Sequence, residues 1–316
     1  MATTTSITTT YAGEFAGQYI SAALLEGSTI SSGGITVKPN IKLKEVIKKV
    51  STDGIVKDAT CDFSATSTLT LTEKILQPEE QQVNLQLCKK DFVSDWEAVQ
   101  MGFSAYHNLP PSFSDFLIAH VAAKVAQKTE NSIWTGDTSN NGEFNGLTTQ
   151  IALDAGLPTG QEVAGTTVTS SNVIAQLGSI VDAIPAALYG SEDLFLYVSQ
   201  NIARAYVRAL GGFASGVGAA GTDSKGTQWF NNGALSFDGV KIFVANGLAN
   251  NTAVAAEKSN LFFGTGLLSD HNEVKVIDMA DLDGSQNVRV VMRFTAGVQY
   301  GIIDDIVTYG ITNSAN

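Results

Sequence analysis

The sequence has few of the residues from which most active sites and disulfide frameworks are built. Its 316 residues include two cysteines, three histidines and six prolines. Cys61 and Cys88 are too few for a disulfide framework in a chain of this length. We therefore expect free thiols made in a reducing cytoplasm, with a pair between them as the alternative. The histidines, His107, His120 and His271, are scattered, so a zinc site or a histidine-dependent triad has little to build on.

Charged residues are also scarce, at 16% of the chain, whereas an average domain has about a quarter. The 19 basic and 31 acidic residues give a formal net charge of −12. A dedicated nucleic-acid binder needs a basic stripe to displace counterions from phosphates, so this balance argues against one. A sparsely charged surface rich in Thr, Ser, Asn and Gly indicates instead that much of it contacts other protein.

Long hydrophobic runs are missing too. No apolar run reaches the roughly 18 residues of a membrane-spanning helix, so no membrane partner is expected. Residues 1–10 contain neither a basic side chain nor an apolar stretch, which is not the pattern of a signal peptide. The 44% of hydrophobic residues is still ample for a core, and the length predicts two compact units or one elaborated domain.

The first 92 residues have too little apolar surface to be stable alone. Residues 1–40 are predicted to form an arm, because six of the first ten residues are Thr and bury little. Residues 41–92 are predicted to form a β-ribbon, in which apolar residues such as Leu69, Leu71 and Leu85 alternate with polar ones. A thin ribbon with one apolar face is only marginally stable, so we expect a neighbouring copy to cover that face.

The clearest helix lies in the next predicted unit, residues 93–165. Ser112 and Asp115 form a capping-box pattern after two prolines, and apolar residues then repeat at a spacing of three and four. Gly136 is the predicted C-terminal stop. The helix is therefore predicted to have roughly 20 residues and a length of about 30 Å, enough to serve as the spine of a domain.

The remaining chain mixes helices and strands without a regular alternation. A helix is predicted to begin at Asn172 and end before Pro185, and an apolar strand at 194–198 precedes a helix that ends at Leu210. Short strands follow around residue 235 and at 240–244, 261–263, 274–277, 288–294 and 300–309. Such irregular mixing favours the α+β class over a doubly wound α/β sheet.

One motif matches the dinucleotide-binding fingerprint. Gly216, Gly218 and Gly221 have the G-x-G-x-x-G spacing letter for letter. In a functional loop a strand precedes the motif and a helix follows it, because the helix N-terminus holds the pyrophosphate. Here helical spacing precedes the motif and polar loop follows. We interpret the segment as a surface loop, keep a nucleotide-dependent enzyme as the weaker alternative, and expect no cofactor.

Two acidic turns are candidate sites for a weakly bound cation. The first resembles the first half of a calcium loop and consists of Asp137, Ser139, Asn141 and Gly142. Its twelfth position is Thr148 and not the glutamate that closes a calcium shell. The second is the run formed by Asp278, Asp281, Asp283 and Gly284. We interpret both as solvated polar turns, with a weak cation site as the alternative, and we expect no resident metal.

No other segment has the form of an active site. The neighbours Glu79–Glu80 and Asp304–Asp305 would point to opposite faces of a strand, which makes them poor partners in acid–base catalysis. His120 lies near the apolar stripe of the long helix, so a core or interface position is expected. Arg204 and Arg208 share a helix face that is either solvated or bound to an acidic partner from another chain. We therefore predict no enzyme and no catalytic residue.

The order of these parts resembles the HK97-type major capsid protein of tailed bacteriophages: an N-terminal arm, a β-ribbon, a spine helix, a mixed α/β unit and closing strands. The segments that carry the resemblance are QVNLQLCKKDF at 82–92, ENSIWTGD at 130–137, FNGL at 144–147, the strand and helix at 196–210, FDGVKI at 237–242 and the strands at 293–309.

The resemblance implies an HK97-like fold with an extended β-ribbon (E-loop) at 41–92, a peripheral domain with the spine helix at 93–165 and an axial domain at 166–285. Residues 286–316 would be strands that return to the peripheral domain. The glycine-rich loop 211–226 would face the centre of a ring of subunits. Leu69 and Leu85 of the ribbon would contact a neighbour. Because the arm has too few apolar residues to pack on its own chain, deletion of residues 1–35 is expected to abolish or misdirect assembly while the spine-helix domain stays folded.

The resemblance also implies a function. The chain would self-assemble into pentamers and hexamers that form an icosahedral shell around double-stranded DNA, without sequence-specific binding. The virion would assemble in the host cytoplasm with a portal, a scaffold and decoration proteins as further partners. Because the arm begins at Met1, we expect either a separate scaffold protein or none. A non-viral nanocompartment shell of the same fold is the alternative.

Overall fold

The computed structural model describes residues 28–52, 54–59, 61, 63, 65, 68–88, 111–210, 235–266 and 275–314. For residues 111–117 and 281 it describes the backbone. The predictions for arm residues 1–27, His107, the loop 211–226 with its glycine motif, and His271 lie outside the described residues.

Within the described ranges the helices and strands alternate irregularly, as expected for the α+β class. The α-helices are α1 (Ser28–Ser31), α2 (Pro111–Thr135), α3 (Leu147–Ala152), α4 (Val173–Asp182), α5 (Gln200–Leu210) and α6 (Ala280–Asp283). The first strands are β1 (Thr36–Lys38), β2 (Glu45–Thr52), β3 (Leu69–Leu76), β4 (Glu79–Cys88), β5 (Glu162–Val163), β6 (Leu194–Val198) and β7 (Ser236–Phe237). The later strands are β8 (Val240–Val244), β9 (Ala253–Glu257), β10 (Leu261–Gly264), β11 (Lys275–Asp278), β12 (Asn287–Tyr300) and β13 (Val307–Tyr309).

The predicted spine helix is α2, and it ends where Gly136 was expected to stop it. The turn after it closes tightly, since Gly146 N donates to the Gly136 carbonyl at 2.9 Å. A Cβ on Gly136 would lie 2.3 Å from the carbonyl oxygen of Phe144, so only glycine fits there. The buried face of the helix includes Ile133 and Trp134. His120 is exposed, so the core position expected for it is wrong; only the interface alternative is left.

A five-stranded sheet is built around the 14-residue strand β12. One side of β12 pairs with β10 and β11, and the other side pairs with β4 along ten residues, all in antiparallel register. The short strand β1 extends the sheet by parallel pairing with β10. Residues of β12 alternate between buried and more exposed. The buried face, including Val290 and Met292, joins α2 in the first hydrophobic core.

The second sheet has six strands in the order β5-β13-β9-β6-β8-β7. Helices α4 and α5 pack on one face of it and form the second core with residues such as Leu196 and Ala255. The opposite face contributes Tyr197 and Val254 to the first core, where the rings of Tyr197 and Trp134 lie 5.1 Å apart. The sheet is therefore buried on both faces and joins the two cores.

Two boundaries drawn from the sequence are wrong. Residues 28–41, which the sequence placed in the arm and at the start of the ribbon, carry Ile30, Ile35 and Ile41, and all three are buried in the subunit itself. The third strand of the expected ribbon, β4, leaves the ribbon and joins β12, so its half-buried Leu85 packs on the subunit's own core. The closing strands also divide, because β12 lies in the first sheet whereas β13 lies in the second.

Two smaller predictions also change. Asn172 precedes α4 as expected but its side chain does not cap the helix. Its amide oxygen instead accepts a hydrogen bond from the backbone of Thr169 at 2.7 Å, which holds the preceding loop. The sequence did not predict strand β9, whose residues AVAAE are mostly good helix formers. In the fold β9 lies between β13 and β6, and its first four residues are fully buried.

Candidate inter-subunit surface

Among the described residues, a group of exposed apolar side chains lies on the hairpin of β2 and β3. The two strands pair antiparallel along eight residues, with Glu45 opposite Leu76 at the root and Thr52 opposite Leu69 at the far end. Directly opposed residues of an antiparallel pair share a face, and neighbours along each strand alternate between faces. The hairpin therefore has two distinct faces, which we call the outer face and the inner face.

The outer face is apolar and open to solvent. It consists of the cross-strand pairs Val46/Ile75, Lys48/Glu73, Val50/Leu71 and Thr52/Leu69. The side chains of Val50 and Leu71, which oppose each other, are 59% and 66% exposed. Farther out, Phe63 is 96% exposed. Exposed apolar side chains grouped on one face of a subunit indicate an interaction site, because their burial by a partner is favourable.

The inner face carries ion pairs to the subunit's own body. Lys49 of β2 pairs with Asp304, which lies in the turn before β13. Lys74 of β3 pairs with Asp154, and its ammonium also lies 4.7 Å above the ring of Tyr300. These contacts explain the orientation of the hairpin, since each lysine leaves the inner face toward a carboxylate on the body.

The root of the hairpin rests on a pair of glycines. Gly264 of β10 and Gly297 of β12 are register partners, so together they leave a gap in the side-chain layer of the sheet. Leu76, which is fully buried, fills this gap: a Cβ on Gly264 would lie 3.0 Å from its Cδ2. A Cβ on Gly297 would lie 2.9 Å from the Cα of Pro78. The absence of two side chains therefore allows the hairpin to approach the sheet.

The pKa values of two carboxyl groups beneath the hairpin, Asp154 and Asp305, are shifted in opposite directions. Burial opposes ionisation of Asp154, but hydrogen bonds from Lys74, Tyr300 and the backbone of Gly156 outweigh it and hold the pKa of Asp154 below its usual value. Burial and the nearby charge of Glu257 raise the pKa of Asp305. Burial and the Asp154 carboxylate raise the pKa of Tyr300, so its hydroxyl stays protonated and donates to Asp154.

A second polar cluster fastens the first described residues to the spine helix. The buried carboxylate of Glu130 accepts hydrogen bonds from the Thr29 backbone at 3.0 Å, from the Thr29 hydroxyl at 2.6 Å and from Ser28 at 2.8 Å. The Trp134 indole donates to the same Thr29 hydroxyl at 2.8 Å. Tyr197 donates to the carbonyl of Gly34. Residues 28–34 are therefore fixed to α2 and to the second sheet.

The two acidic turns have the hydrogen bonding of polar turns. Asp137 accepts from the backbone of Ser139 at 2.8 Å, and the same Ser139 contacts hold the pKa of Asp137 below its usual value. Glu143 pairs with Lys128 of α2. In the second turn Asp283 accepts from Ser285 at 2.9 Å, and Gly284 has a left-handed φ of +71° that ends α6. Among the described residues no group of three or more His, Cys, Asp or Glu side chains could hold a metal ion.

The other residues singled out in the sequence do not come together. Cys61 is an exposed free thiol and Cys88 is a half-buried one at the end of β4. Arg204 and Arg208 are exposed on α5. This helix, and not a strand, precedes the glycine motif, as the sequence predicted. In the part of the chain that the structure describes, no helix is long and apolar enough to cross a membrane.

Sequence reasoning missed the residues that orient the hairpin. Lys49 and Asp304 are 255 residues apart, and Lys74 and Asp154 are 80 apart, so no local pattern joins them. No local signal singled them out either, because both strands carry other polar and charged residues, such as Lys48 and Glu73.

Comparison with known proteins finds similarity in structure only. No protein-family model matches the sequence, and no curated protein does either. The capsid of the empty GTA particle is similar with a TM-score of 0.56 at 12% identity, over 98% of this chain and 95% of that one. The Mycobacterium phage Adephagia structure has a TM-score of 0.56 at 15% identity, over 90% of both chains. The capsid structure of Cyanophage P-SCSP1u has a TM-score of 0.54 at 13% identity, over 89% and 87%.

These matches extend over almost the full length of both chains in each pair. At such low identity the match establishes the fold and not the details of any surface. The chain has the α+β fold of the HK97-like phage capsids, which confirms the fold predicted from its sequence.

Proposed function

We propose that the chain is a major capsid protein that self-assembles into pentamers and hexamers, forming the icosahedral shell of a tailed phage around its double-stranded DNA. The carrying observation is the outer face of the hairpin, an apolar surface that the subunit leaves open. Two of the similar structures named above are described as capsids, one of them with C5 symmetry. A second copy of this chain is therefore the proposed cover.

Burial of the outer face supplies the association energy in this proposal. A well-buried Leu or Val contributes on the order of 1.5–3 kcal/mol relative to exposure. Five such residues lie on the outer face: Val46, Val50, Leu69, Leu71 and Ile75. Lys48 and Glu73 oppose each other on the same face. An exposed ion pair is worth at most about 1 kcal/mol, so these two residues would set the register of the contact and add little to its strength.

The remaining parts take their roles from the same proposal. The hairpin of β2 and β3 acts as the E-loop, α2 and the first sheet form the peripheral domain, and the second sheet with α4 and α5 forms the axial domain. The net charge of −12 suits a shell interior, because a basic lining would bind DNA and impede its motion. Portal, scaffold and decoration proteins are proposed further partners of the virion, which would assemble in the host cytoplasm.

A substitution on the outer face tests the proposal. Leu71→Asp places a charge in the centre of the proposed contact and should abolish particles in negative-stain microscopy and light scattering. The thermal midpoint of the subunit should stay within about 2 °C, because Leu71 is exposed. Thr70→Asp is the matched control, since Thr70 is the exposed neighbour on the other face and should assemble. Normal particles from Leu71→Asp would refute the proposal.

The contents of the particles separate the viral shell from a nanocompartment of the same fold. Particles isolated from infected or lysogenic cells should contain double-stranded DNA, whereas a nanocompartment would contain protein cargo instead. No enzymatic activity is proposed. A measurable nucleotide affinity that is lost in Gly218→Val would contradict that part and support the enzyme alternative.

A further inference from the structure

We propose that Lys49 and Lys74 are positioning residues that set the angle at which the hairpin leaves the subunit. Their ion pairs with Asp304 and Asp154 hold the inner face against the body. When these pairs open, the hairpin pivots about its root without unfolding. The effect on particle shape rests on the proposed function, but the pivot itself is a property of the single subunit.

The root is held by contacts that do not depend on charge. Leu76 and Ile41 are buried against Gly264, and the Gln77–Pro78 link lies against Gly297. A backbone contact adds to this packing, since the Gln299 amide donates to the carbonyl of Ile75 at 3.0 Å. Packing of this kind is specific and resists small displacements. It fixes the point about which the hairpin turns.

Beyond the root, the hairpin is separated from the body by a cleft of about 200 Å³. Ile47, Lys49, Asn260, Phe262, Gly301 and Asp305 are among the residues that line it. The hairpin therefore rests on side-chain contacts across a cleft and not on a continuous packed layer. Side chains that reach across a gap can be released one at a time, which a close-packed interface does not permit.

The charges around Lys49 do not balance locally. Asp304 pairs with Lys49, while Asp305 and Glu257 line the same cleft and Lys48 lines it from the hairpin, so three carboxylates face two lysines here. The side chains of Lys49 and Asp304 are also partly exposed, which makes their pairing sensitive to salt. Lys74 is the firmer of the two contacts, because it also lies over the Tyr300 ring and donates to its hydroxyl at 3.3 Å.

A hinge of this design suits a chain that forms two kinds of ring. Subunits in pentamers and hexamers meet at different angles, so the outer face must be presented at more than one inclination. An angle set by two ion pairs over a fixed root can take two values at small cost, as in other hinge motions that are confined to a few residues. The two lysines would then select which value is populated.

The two native cysteines allow the angle to be measured directly. Cys61 lies in the loop of the hairpin, and Cys88 lies at the end of β4 in the first sheet. Spin labels on both thiols report one distance across the pivot by double electron–electron resonance. The wild-type subunit, kept unassembled at low concentration, should give one main distance.

Charge reversal should change that distance and a charge swap should restore it. Lys49→Glu combined with Lys74→Glu should produce a second distance that at least about a tenth of the molecules populate. Adding Asp304→Lys and Asp154→Lys should return the single distance. Glu73→Lys is the control, because it reverses a charge on the outer face at a residue that does not line the cleft, and it should leave the distance unaltered. Circular dichroism of each variant verifies that the subunit is folded.

The outcomes separate this inference from the proposed function. An unchanged distance in the double reversal, or no restoration by the swap, would overturn the hinge whether or not particles form. A changed distance in the free subunit together with an altered distribution of particle diameters would support both. If wild-type subunits form no particles, the proposed function fails while the distance measurement still decides the hinge.

Discussion

Strands β3 and β4 follow each other in the chain with only Gln77 and Pro78 between them, yet their apolar residues differ in exposure to solvent. Both alternate apolar with polar residues. In β3, Leu69 and Leu71 are exposed to solvent, whereas in β4 the equivalent residues Val83 and Leu85 pack on the first core. The difference is decided by β12, which pairs with β4 over ten residues.

The comparison teaches that an alternating pattern encodes a face and not the partner that covers it. For β4 the cover is the first core, which the strand reaches by pairing with β12, some 200 residues later in the same chain. For β3 the described chain provides no cover for the outer face, which is why we propose a second copy. Substitutions that place the same charge in each setting should therefore damage folding in one case and assembly in the other.

The largest effect is expected from truncating the residues that were taken for an arm. Deletion of residues 1–35 removes the buried Ile30 and Ile35 as well as Thr29, and should cost more than about 5 kcal/mol, so the subunit should fail to fold. Deletion of residues 1–27 retains these contacts and should leave a folded subunit. Circular dichroism and thermal unfolding distinguish the two, and a folded 36–316 chain would contradict the assignment.

The second prediction compares the two strands directly. Leu85→Asp should destabilise the subunit by about 3 kcal/mol or more, since it places a charge in the half-buried layer between β4 and the first core. Leu71→Asp should change the free energy of unfolding by less than about 0.5 kcal/mol. Urea unfolding of both variants measures the contrast. Equal loss of stability would place Leu71 in a covered layer as well.

A smaller effect is expected at Asp154, whose pKa is lowered in the folded subunit. Its ionised form therefore stabilises the fold above its usual pKa, and this contribution is lost as pH falls through the folded pKa. Asp154→Asn should cost about 1 kcal/mol or less at pH 7, because the pair with Lys74 is partly exposed. The cost should vanish in acid. Thermal midpoints from pH 7 down to pH 3 measure it, and a pH-independent cost would contradict this explanation.

The smallest effect, of opposite sign, is expected at Asp305. Its pKa is raised, so the folded subunit favours the protonated form, and stability is lost as pH rises through the folded pKa. Asp305→Asn should therefore raise the thermal midpoint at pH 7 by about 2 °C or less, and the gain should disappear in acid. A loss of stability at pH 7 would indicate that the carboxylate makes a favourable contact in the fold.

Local patterns in the sequence were sufficient for the elements but not for their partners. The spacing of apolar residues and the stop at Gly136 predicted α2, and the apolar run at 194–198 predicted β6. Strand β9 was missed because its alanines favour helices when isolated, and only burial on both faces makes a strand of them. The buried Ile30 was missed because α2, which covers it, lies about 100 residues away.

The candidate surface was half predicted for the same reason. The alternation in β3 predicted that one face of the strand is apolar. It did not state whether that face is exposed or buried, because both kinds of strand share the pattern. The ion pairs of Lys49 and Lys74 required the three-dimensional positions of Asp304 and Asp154. Sequence alone could identify the lysines as polar residues in a ribbon, but it could not state that they bind the body of their own subunit.

The amide exchange rate of strand β9 also measures how often the whole subunit opens. Its five residues are bonded to β6 on one side, three of them are bonded to β13 on the other, and both faces are covered. Deuterium from solvent can reach these amides only when the whole subunit opens, whereas a movement of the hairpin leaves them protected. If the chain forms the proposed shell, the rate at which β9 takes up deuterium in the intact particle reports the opening of single subunits, without any need to take the particle apart.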